Sequence, residues 1–355
     1  MSSSNTTNIS ELNKEDNSLY EKFIAGKSAA IINWALFFFG IALVFFPILI
    51  TKFSFLELDY ENTGEIGDII GGTTAPFLSF VGIVVTFYAF WVQYQSNISQ
   101  RNDIKLERFE NKFYELLSLH KDNINEMLIS GFDDRKIEGR KVFVSMYREL
   151  RYSYFVAKRV YNRLKDSEIL KIQYTDAEIL KLAYIFFYTG VGIHSELLYK
   201  NLINQSFEKD FYEEVGKELL ELHRSYKTLS IDKAVPELEL EEIGKSLPAK
   251  SYRPYEGHQN RLGHYYRHLF QTVKFVVNQD SKFVPDFKKL EYLKTLRAQL
   301  SDHEQVMLYY NSLSTFGNSW IKNGYFTKYK MIHNLPLPLA NFGQTPQNKF
   351  ASDSS

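Results

Sequence analysis

Two long runs without a charged residue, residues 29–50 and 74–92, constrain the fold of this 355-residue chain more than any other feature. An α-helix rises 1.5 Å per residue, so about 20 apolar residues cross a hydrocarbon core of roughly 30 Å. The first run is too long for a signal peptide, and no small-residue cleavage site follows it. The sequence therefore predicts two transmembrane helices near the start of the chain.

The charges that flank these runs predict the orientation. The linker at 51–68 is acidic, whereas basic residues lie outside the runs: Lys14, Lys22, Lys27, Arg101, Lys105, Arg108 and Lys112. Because basic residues stay on the cytoplasmic side, we expect a hairpin at 29–94 with a short acidic external loop. Residues 1–28 would form a cytoplasmic tail, and the C-terminus would also be cytoplasmic. The pair Gly71-Gly72 predicts a tight turn before the second span, with Pro76 in the first helical turn.

The remainder of the chain predicts a mostly α fold class, with a helical cytoplasmic domain at 95–335. Apolar residues recur at helical spacing from Phe109 to Met127, which indicates a stalk helix over about 95–130. Two capping boxes, Thr175 to Glu178 and Ser301 to Glu304, each predict a helix start. Further helices are expected near residues 140–164, 194–203, 207–228, 258–278 and 285–300.

Two segments look irregular. Residues 229–257 contain three prolines and no sustained period, so we expect a long connection with a short strand near 238–240. Residues 336–355 are rich in Asn, Gln, Pro and Ser, and their composition predicts a disordered tail.

Composition and motifs argue against several classes of activity. The chain has no cysteine, which removes disulfides and thiolate chemistry. It has no phosphate-binding Gly-rich loop, no HExxH and no GxSxG motif. Its net charge of zero does not favour nucleic-acid binding. We therefore expect no cofactor and no metal site, and catalytic activity stays open with a non-enzymatic role preferred.

The polar and aromatic stretch at 255–270 contains the best candidates for catalytic or binding residues. Arg261, His264, Tyr265 and His268 share one helical face, since positions i, i+3, i+4 and i+7 align. This face predicts either a functional site or a buried polar network that fixes helix packing. His264 and His268 also have the i, i+4 spacing of metal ligands, but no carboxylate or thiolate in the motif completes such a site.

A sharper alternative is a metal-free ribonuclease of the HEPN kind, which carries an Arg-x(4–6)-His motif. Arg261 would stabilise the developing phosphate charge and His268 would transfer the proton. The spacing is found three times in this sequence and about once by chance, so the motif alone does not decide between the two interpretations. The further candidates for a binding or structural polar cluster are His258, His264, Arg267, Arg297, Gln299, Glu304 and Asn311.

Several segments resemble one known family. Residues 263–271 (GHYYRHLFQ), 296–304 (LRAQLSDHE) and 308–312 (LYYNS) look like phage abortive infection proteins of the AbiC-like kind. Residues 109–123 and 67–72 resemble the family's segments beside the membrane. The similarity runs from about residue 65 to residue 335. His303 departs from the family pattern, in which an aromatic residue is expected.

This resemblance implies a bacterial defence protein that halts an infected cell before phage progeny are released. We expect a multi-pass inner-membrane protein whose helical domain senses infection and which acts at the membrane. Its partners would be the lipid bilayer, further copies of the chain, and a trigger that is a phage protein, RNA or a small messenger. The alternative is a membrane-tethered ribonuclease. The resemblance does not assign a catalytic mechanism to individual residues of this sequence.

Overall fold

The computed structural model describes residues 63–131, 136–192, 206–228, 252–333 and 335–346, together with residues 34, 37–42 and 45. Most of these residues are helical, which confirms the predicted mostly α fold class. The chain divides into two compact units, residues 1–104 and residues 105–355. The first helix with defined bounds, α1, runs through both units at Thr63–Asn125.

In the described part of the chain, α1 from Thr74 onward is the one helix that is long and apolar enough to cross a membrane. None of its most apolar window is buried against protein, which distinguishes it from the core helix of a soluble domain. The exposed side chains include large hydrophobic residues over most of the circumference: Phe77, Leu78, Phe80, Ile83, Val84, Val85, Phe87, Tyr88, Phe90 and Trp91. Helices that are apolar all round are buried in protein or surrounded by lipid.

The start of α1 corrects three predictions. Gly71 and Gly72 lie within the helix instead of forming a turn, and Pro76 is inside the helix instead of in its first turn. Glycine lowers helix propensity by only about 1 kcal/mol per residue, so two glycines do not end a helix that others continue. Residues 63–68, expected in the external loop, are helical too. Apart from residues 34, 37–42 and 45, which are helical, the first predicted span lies outside the described residues.

The second unit contains the following elements after α1. The strands are β1 (Leu128–Ser130) and β2 (Lys136–Glu138). The helices are α2 (Arg140–Asp166), α3 (Asp176–Thr189), α4 (Lys209–Thr228), α5 (Gln259–Val277), α6 (Asp286–Ala298), α7 (Asp302–Leu313) and α8 (Ser319–Lys322). The predicted helix at 194–203 and the predicted strand at 238–240 lie outside the described residues.

Helix α2 is at the centre of this unit, because it packs along α3 and also contacts α4 and α7. Its buried side chains form a broad face that covers more than half of the circumference, and Val142, Phe143, Met146 and Leu150 are fully buried. Helix α3 is buried along most of its length, as its almost continuous apolar sequence requires. Helix α7 packs against both of these helices, and α5 packs against α3.

Both predicted capping boxes are confirmed. At α3, the Thr175 hydroxyl accepts from the Glu178 N–H, and the Glu178 carboxylate accepts from the Thr175 N–H at 2.8 Å. At α7, Ser301 and Glu304 form the same reciprocal pair. Each box satisfies backbone donors that the first helical turn leaves without an intrahelical partner.

The stalk helix ends earlier than predicted. Helix α1 stops at Asn125, and residues 128–130 form a strand that pairs antiparallel with residues 136–138. Gly139 then donates its N–H to the Met127 carbonyl and adopts φ +60°, a conformation that glycine tolerates best. The hairpin returns the chain directly into α2, so Met127 and Ile129 are buried in the core instead of continuing a helical stripe.

The tail expected to be disordered from residue 336 is ordered to residue 346, so that prediction is wrong for these residues. Ala340 and Phe342 are buried in the core, and the Phe342 ring stacks on Tyr310 with centroids 4.4 Å apart. The Tyr147 hydroxyl donates to the Leu339 carbonyl at 2.8 Å. Composition missed this segment because one buried aromatic side chain outweighs the polar residues around it. Residues 347–355 lie outside the described residues.

Phe342 therefore contributes to the stability of the helical unit. We expect Phe342→Ala to lower the free energy of unfolding by about 3–5 kcal/mol, because it leaves a cavity beside Tyr310. Denaturant unfolding of the full chain in detergent, followed by tryptophan fluorescence, measures this loss. The control is Leu337→Ala, since Leu337 is 44% exposed in the same segment. Equal stability of the two variants would contradict the packed tail.

Candidate functional site

The N-terminus of α5 is fixed by a close approach of two backbone segments. Gly190 follows α3, and Gly257 precedes α5; a Cβ atom on either would lie under 3 Å from backbone atoms of the other segment. The His258 N–H donates to the Tyr188 carbonyl at 2.9 Å, and the Val191 N–H donates to the Tyr255 carbonyl at 3.0 Å. Only glycine permits this spacing. The close approach of the two segments therefore determines where α5 begins.

A buried carboxylate on α2 holds the same segment from the other side. Glu149 is fully buried, and its oxygens accept from the Tyr252 hydroxyl at 2.7 Å and from the Tyr255 N–H at 2.9 Å. The His258 Nε2 atom lies 3.2 Å from Glu149 Oε1, and the imidazole packs on Phe187 with centroids 4.8 Å apart. His258, a predicted site residue, thus connects α2, α3 and α5 inside the core.

The polar face predicted on α5 is only partly exposed. Tyr265 is fully buried and His268 is half-buried, whereas His264 is exposed. His120 from α1 completes what we call the histidine cluster, which consists of His120, Tyr265 and His268. The imidazoles of His120 and His268 stack with centroids 6.2 Å apart, and the His120 and Tyr265 rings are 5.2 Å apart.

The surroundings of the histidine cluster favour neutral imidazoles. Burial, His268 and the nearby Arg140 lower the pKa of His120 to about 4. Burial and the neighbouring His264 also lower the pKa of His268. Within the described residues, neither imidazole has a hydrogen-bond partner for its ring nitrogens, and the Tyr265 hydroxyl has none either. A buried imidazole without a partner is destabilised further when it gains a charge.

Arg261 and His264 point to a different place, an open cavity of about 300 Å³ between the C-terminal end of α1, β1 and α5. The Arg261 Nε donates to the Leu128 carbonyl at 2.9 Å, which holds the guanidinium at the cavity. The residues that line this α1–α5 cavity are Asn123, Glu126, Met127, Leu128, Asn260, Arg261, His264 and Tyr265. His268 does not line it, so the structure does not bring Arg261 and His268 together at this opening.

Glu304 lies near Tyr265 of the histidine cluster. Its side chain is fully buried, caps α7 through Ser301, and has one oxygen 4.0 Å from the Arg140 Nε. Burial raises the pKa of the Glu304 carboxyl, whereas the hydrogen bonds from Ser301 act in the opposite direction. The negative charge of Glu304 adds to burial in raising the pKa of Tyr265.

The other predicted residues are dispersed. Asn311 is buried and donates to the Tyr184 hydroxyl at 2.9 Å. The Arg297 guanidinium donates to the Lys330 carbonyl, and the exposed Gln299 offers its backbone carbonyl to Arg140. Arg267 is exposed on α5. His303, where an aromatic residue was expected, packs edge-on against the Tyr147 ring with centroids 5.5 Å apart, so it takes an aromatic role.

Sequence reasoning missed His120, Arg140 and Glu149 as parts of this region. His120 continues the stripe of Phe113 and Ile124 at helical spacing, which could have marked it as core-facing. Glu149 lies beside Leu150 on the buried face of α2, where a carboxylate needs partners that only the distant residues 252–258 supply. In the part of the chain that the structure describes, no three His, Asp or Glu side chains are close enough to hold a metal ion.

The fold and this site define a mostly helical protein with a polar region at the start of α5. Residues 257–339, which include α5 through α8, match the family model described as "Putative phage abortive infection protein". This confirms the resemblance at 263–271, 296–304 and 308–312, while the resemblance nearer the membrane stays a prediction. Searches of curated proteins and of solved structures find no match.

The histidine cluster predicts an acid-dependent loss of stability. The pKa of His120 falls from 6.5 in the unfolded chain to about 4 in the folded one, so folding favours the neutral ring. Above pH 6.5 the neutral ring costs nothing, and the free energy of unfolding is at its full value. As the pH falls toward 4, protonation of His120 in the unfolded chain lowers the free energy of unfolding by up to about 3 kcal/mol. Denaturant midpoints at pH 7, 5.5 and 4 should therefore fall more steeply for the natural chain than for His120→Phe.

Tyr265→Phe is the control for this experiment, because it removes the neighbouring hydroxyl and leaves both imidazoles in place. It should retain the acid dependence of the natural chain. Parallel pH curves for the natural chain and His120→Phe would contradict the burial of a neutral His120.

Proposed function

We propose that this protein is a membrane-anchored abortive infection protein that responds to phage infection through its helical unit and acts at the membrane. One observation carries the proposal: the uncharged, exposed and predominantly apolar stretch of α1 continues, as the same helix, into the unit that contains the matched segment. An anchor and a responding domain joined by a continuous helix can convert a binding event into a change at the bilayer.

Lipid is the solvent that best accounts for the exposed surface of α1. Burial of apolar surface is favourable by roughly 25 cal/mol per Å², so water contact along this stretch is costly. Phe80, Phe87 and Phe90 are each at least 66% exposed. Residues 101–112 of the same helix are highly charged, which limits the span to the part before them. The basic residues just after the span favour a cytoplasmic location for the helical unit.

The finer topology belongs to the same proposal. A second span at 29–50 would pair with α1, so that both termini are cytoplasmic and the acidic loop is external. A subunit with two spans cannot enclose a channel by itself, because exposed polar backbone is not tolerated in lipid. A membrane-permeabilising form would therefore be an oligomer of this chain, assembled when the helical unit detects a phage protein, RNA or a small messenger.

The geometry does not favour the ribonuclease alternative. Such an enzyme needs Arg261 and His268 at one accessible cleft. Arg261 lines the α1–α5 cavity, whereas both ring nitrogens of His268 are buried. A packing role for His268 in the histidine cluster accounts for its position. RNA integrity in infected cells that express His268→Ala tests the alternative, provided that the thermal stability of the variant is measured alongside.

A charge in the middle of the span tests the anchor. We expect Ile83→Arg to move the chain from the membrane fraction to the soluble or aggregated fraction, since a central arginine costs roughly 2.5–3.5 kcal/mol on insertion. It should also abolish protection against phage, measured as efficiency of plating. Ile83→Leu is the matched control and should keep both properties. Full protection by a soluble Ile83→Arg variant would exclude action at the membrane.

The mode of action is tested separately by dye uptake during infection. Cells that express the natural chain should admit a membrane-impermeant dye before lysis, whereas cells that express Ile83→Arg should not. Growth arrest with an intact barrier would contradict permeabilisation. Unchanged phage plating upon deletion of the gene would contradict the defence role itself.

A further inference from the structure

The α1–α5 cavity has two walls with different chemistry. The wall from the end of α1 carries Asn123 and Glu126, and the wall from α5 carries Asn260, Arg261 and His264. Met127, Leu128 and Tyr265 supply its apolar surface. One wall therefore offers a carboxylate, the other offers a guanidinium and an imidazole, and each offers a carboxamide. Small-molecule sites combine an apolar lining with a few polar groups that converge in this way.

The polar groups at this cavity are not used elsewhere in the described part of the chain. The Arg261 Nε–H donates to the Leu128 carbonyl, and the two terminal guanidinium nitrogens have no protein partner among the described residues. No hydrogen bond or ion pair engages the side chains of Asn123, Glu126, Asn260 or His264 among the same described residues. The Arg261 guanidinium is thus positioned by one bond and open for bidentate contact with an anion.

The size and charge of the cavity restrict its ligand. A volume of about 300 Å³ is at the lower end for small-molecule sites and is close to the size of one mononucleotide. A simple inorganic anion would use Arg261 and His264 and would leave the Glu126 carboxylate without a partner. A purely apolar ligand is disfavoured, because it would make no hydrogen bonds with the polar side chains of the lining. The ligand needs an anionic end, a flat apolar body and an edge of N–H donors.

We propose that the α1–α5 cavity binds a guanine mononucleotide. Guanine presents two adjacent donors, N1–H and the 2-amino group, which suit the carboxylate of Glu126. Its O6 and N7 acceptors suit the carboxamides of Asn123 and Asn260. The phosphate then belongs with Arg261 and His264, and the base lies against Met127 and Leu128. Adenine lacks both donors of guanine, so Glu126 discriminates between the two bases.

This inference rests on the proposed function, since it supplies the trigger that a responding domain requires. The ligand would contact α5 and the C-terminal end of α1 together, and α1 is the helix that carries the proposed span. Binding would therefore favour one arrangement of these two elements over others, which is the requirement for a ligand-driven shift between states.

The test is isothermal titration calorimetry of the full chain in detergent with guanosine monophosphate (GMP), adenosine monophosphate (AMP) and guanosine. We expect GMP to bind about tenfold or more tightly than AMP, the effect of one charge-assisted hydrogen bond, and guanosine to bind more weakly than GMP. Glu126→Gln should remove most of the preference for GMP over AMP. His264→Ala should weaken GMP and leave guanosine unchanged.

Asp122→Asn is the matched control, because Asp122 is exposed one turn before Glu126 on α1 and does not line the cavity. It should bind GMP as the natural chain does. Absence of GMP binding, or equal binding of GMP and AMP, would overturn the proposal. Because calorimetry needs no phage, failure of the ligand inference is distinguishable from failure of the defence role, which plating measures independently.

Discussion

The buried carboxylate of Glu149 is the interaction on which the arrangement of the helical unit depends. A carboxylate inside a protein is tolerated only when hydrogen bonds replace its water. Here the partners come from residues 252–258, which follow a connection far along the chain, and include the Tyr252 hydroxyl, the Tyr255 N–H and the neighbouring His258. The carboxylate therefore fixes where α5 starts relative to α2, and the close approach of Gly190 and Gly257 fixes it relative to α3.

With its start fixed, α5 has two surfaces with different environments. Its inner surface carries Tyr265 and His268 against His120, where burial keeps the imidazoles neutral. Its outer surface carries Arg261 and His264 at the α1–α5 cavity. Tyr265 belongs to both, since it lines the cavity and contacts His120. The lining of the cavity and the packing of α1 against α5 thus share one buried ring.

Local signals were sufficient for much of the fold. The capping boxes at Thr175 and Ser301, the helical periodicity of α2 and α5, and the uncharged stretch within α1 all depend on neighbours within a few residues. Predictions failed where distant packing overrides local composition. The polar tail is ordered because Phe342 reaches the core, and the Gly71-Gly72 pair remains helical because the residues on both sides continue the helix.

The sequence by itself determined that the chain is mostly helical, that it contains an apolar stretch long enough to cross a bilayer, and that residues 263–271, 296–304 and 308–312 resemble a phage-defence family. These properties follow from periodicity, composition and short motifs. Only the tertiary structure decided that Arg261 and His268 lie in different environments, although they share a helical face. The physical reason is that a side chain's exposure and pKa depend on which distant elements cover it, and neither α1 nor Glu304 is adjacent in sequence to α5.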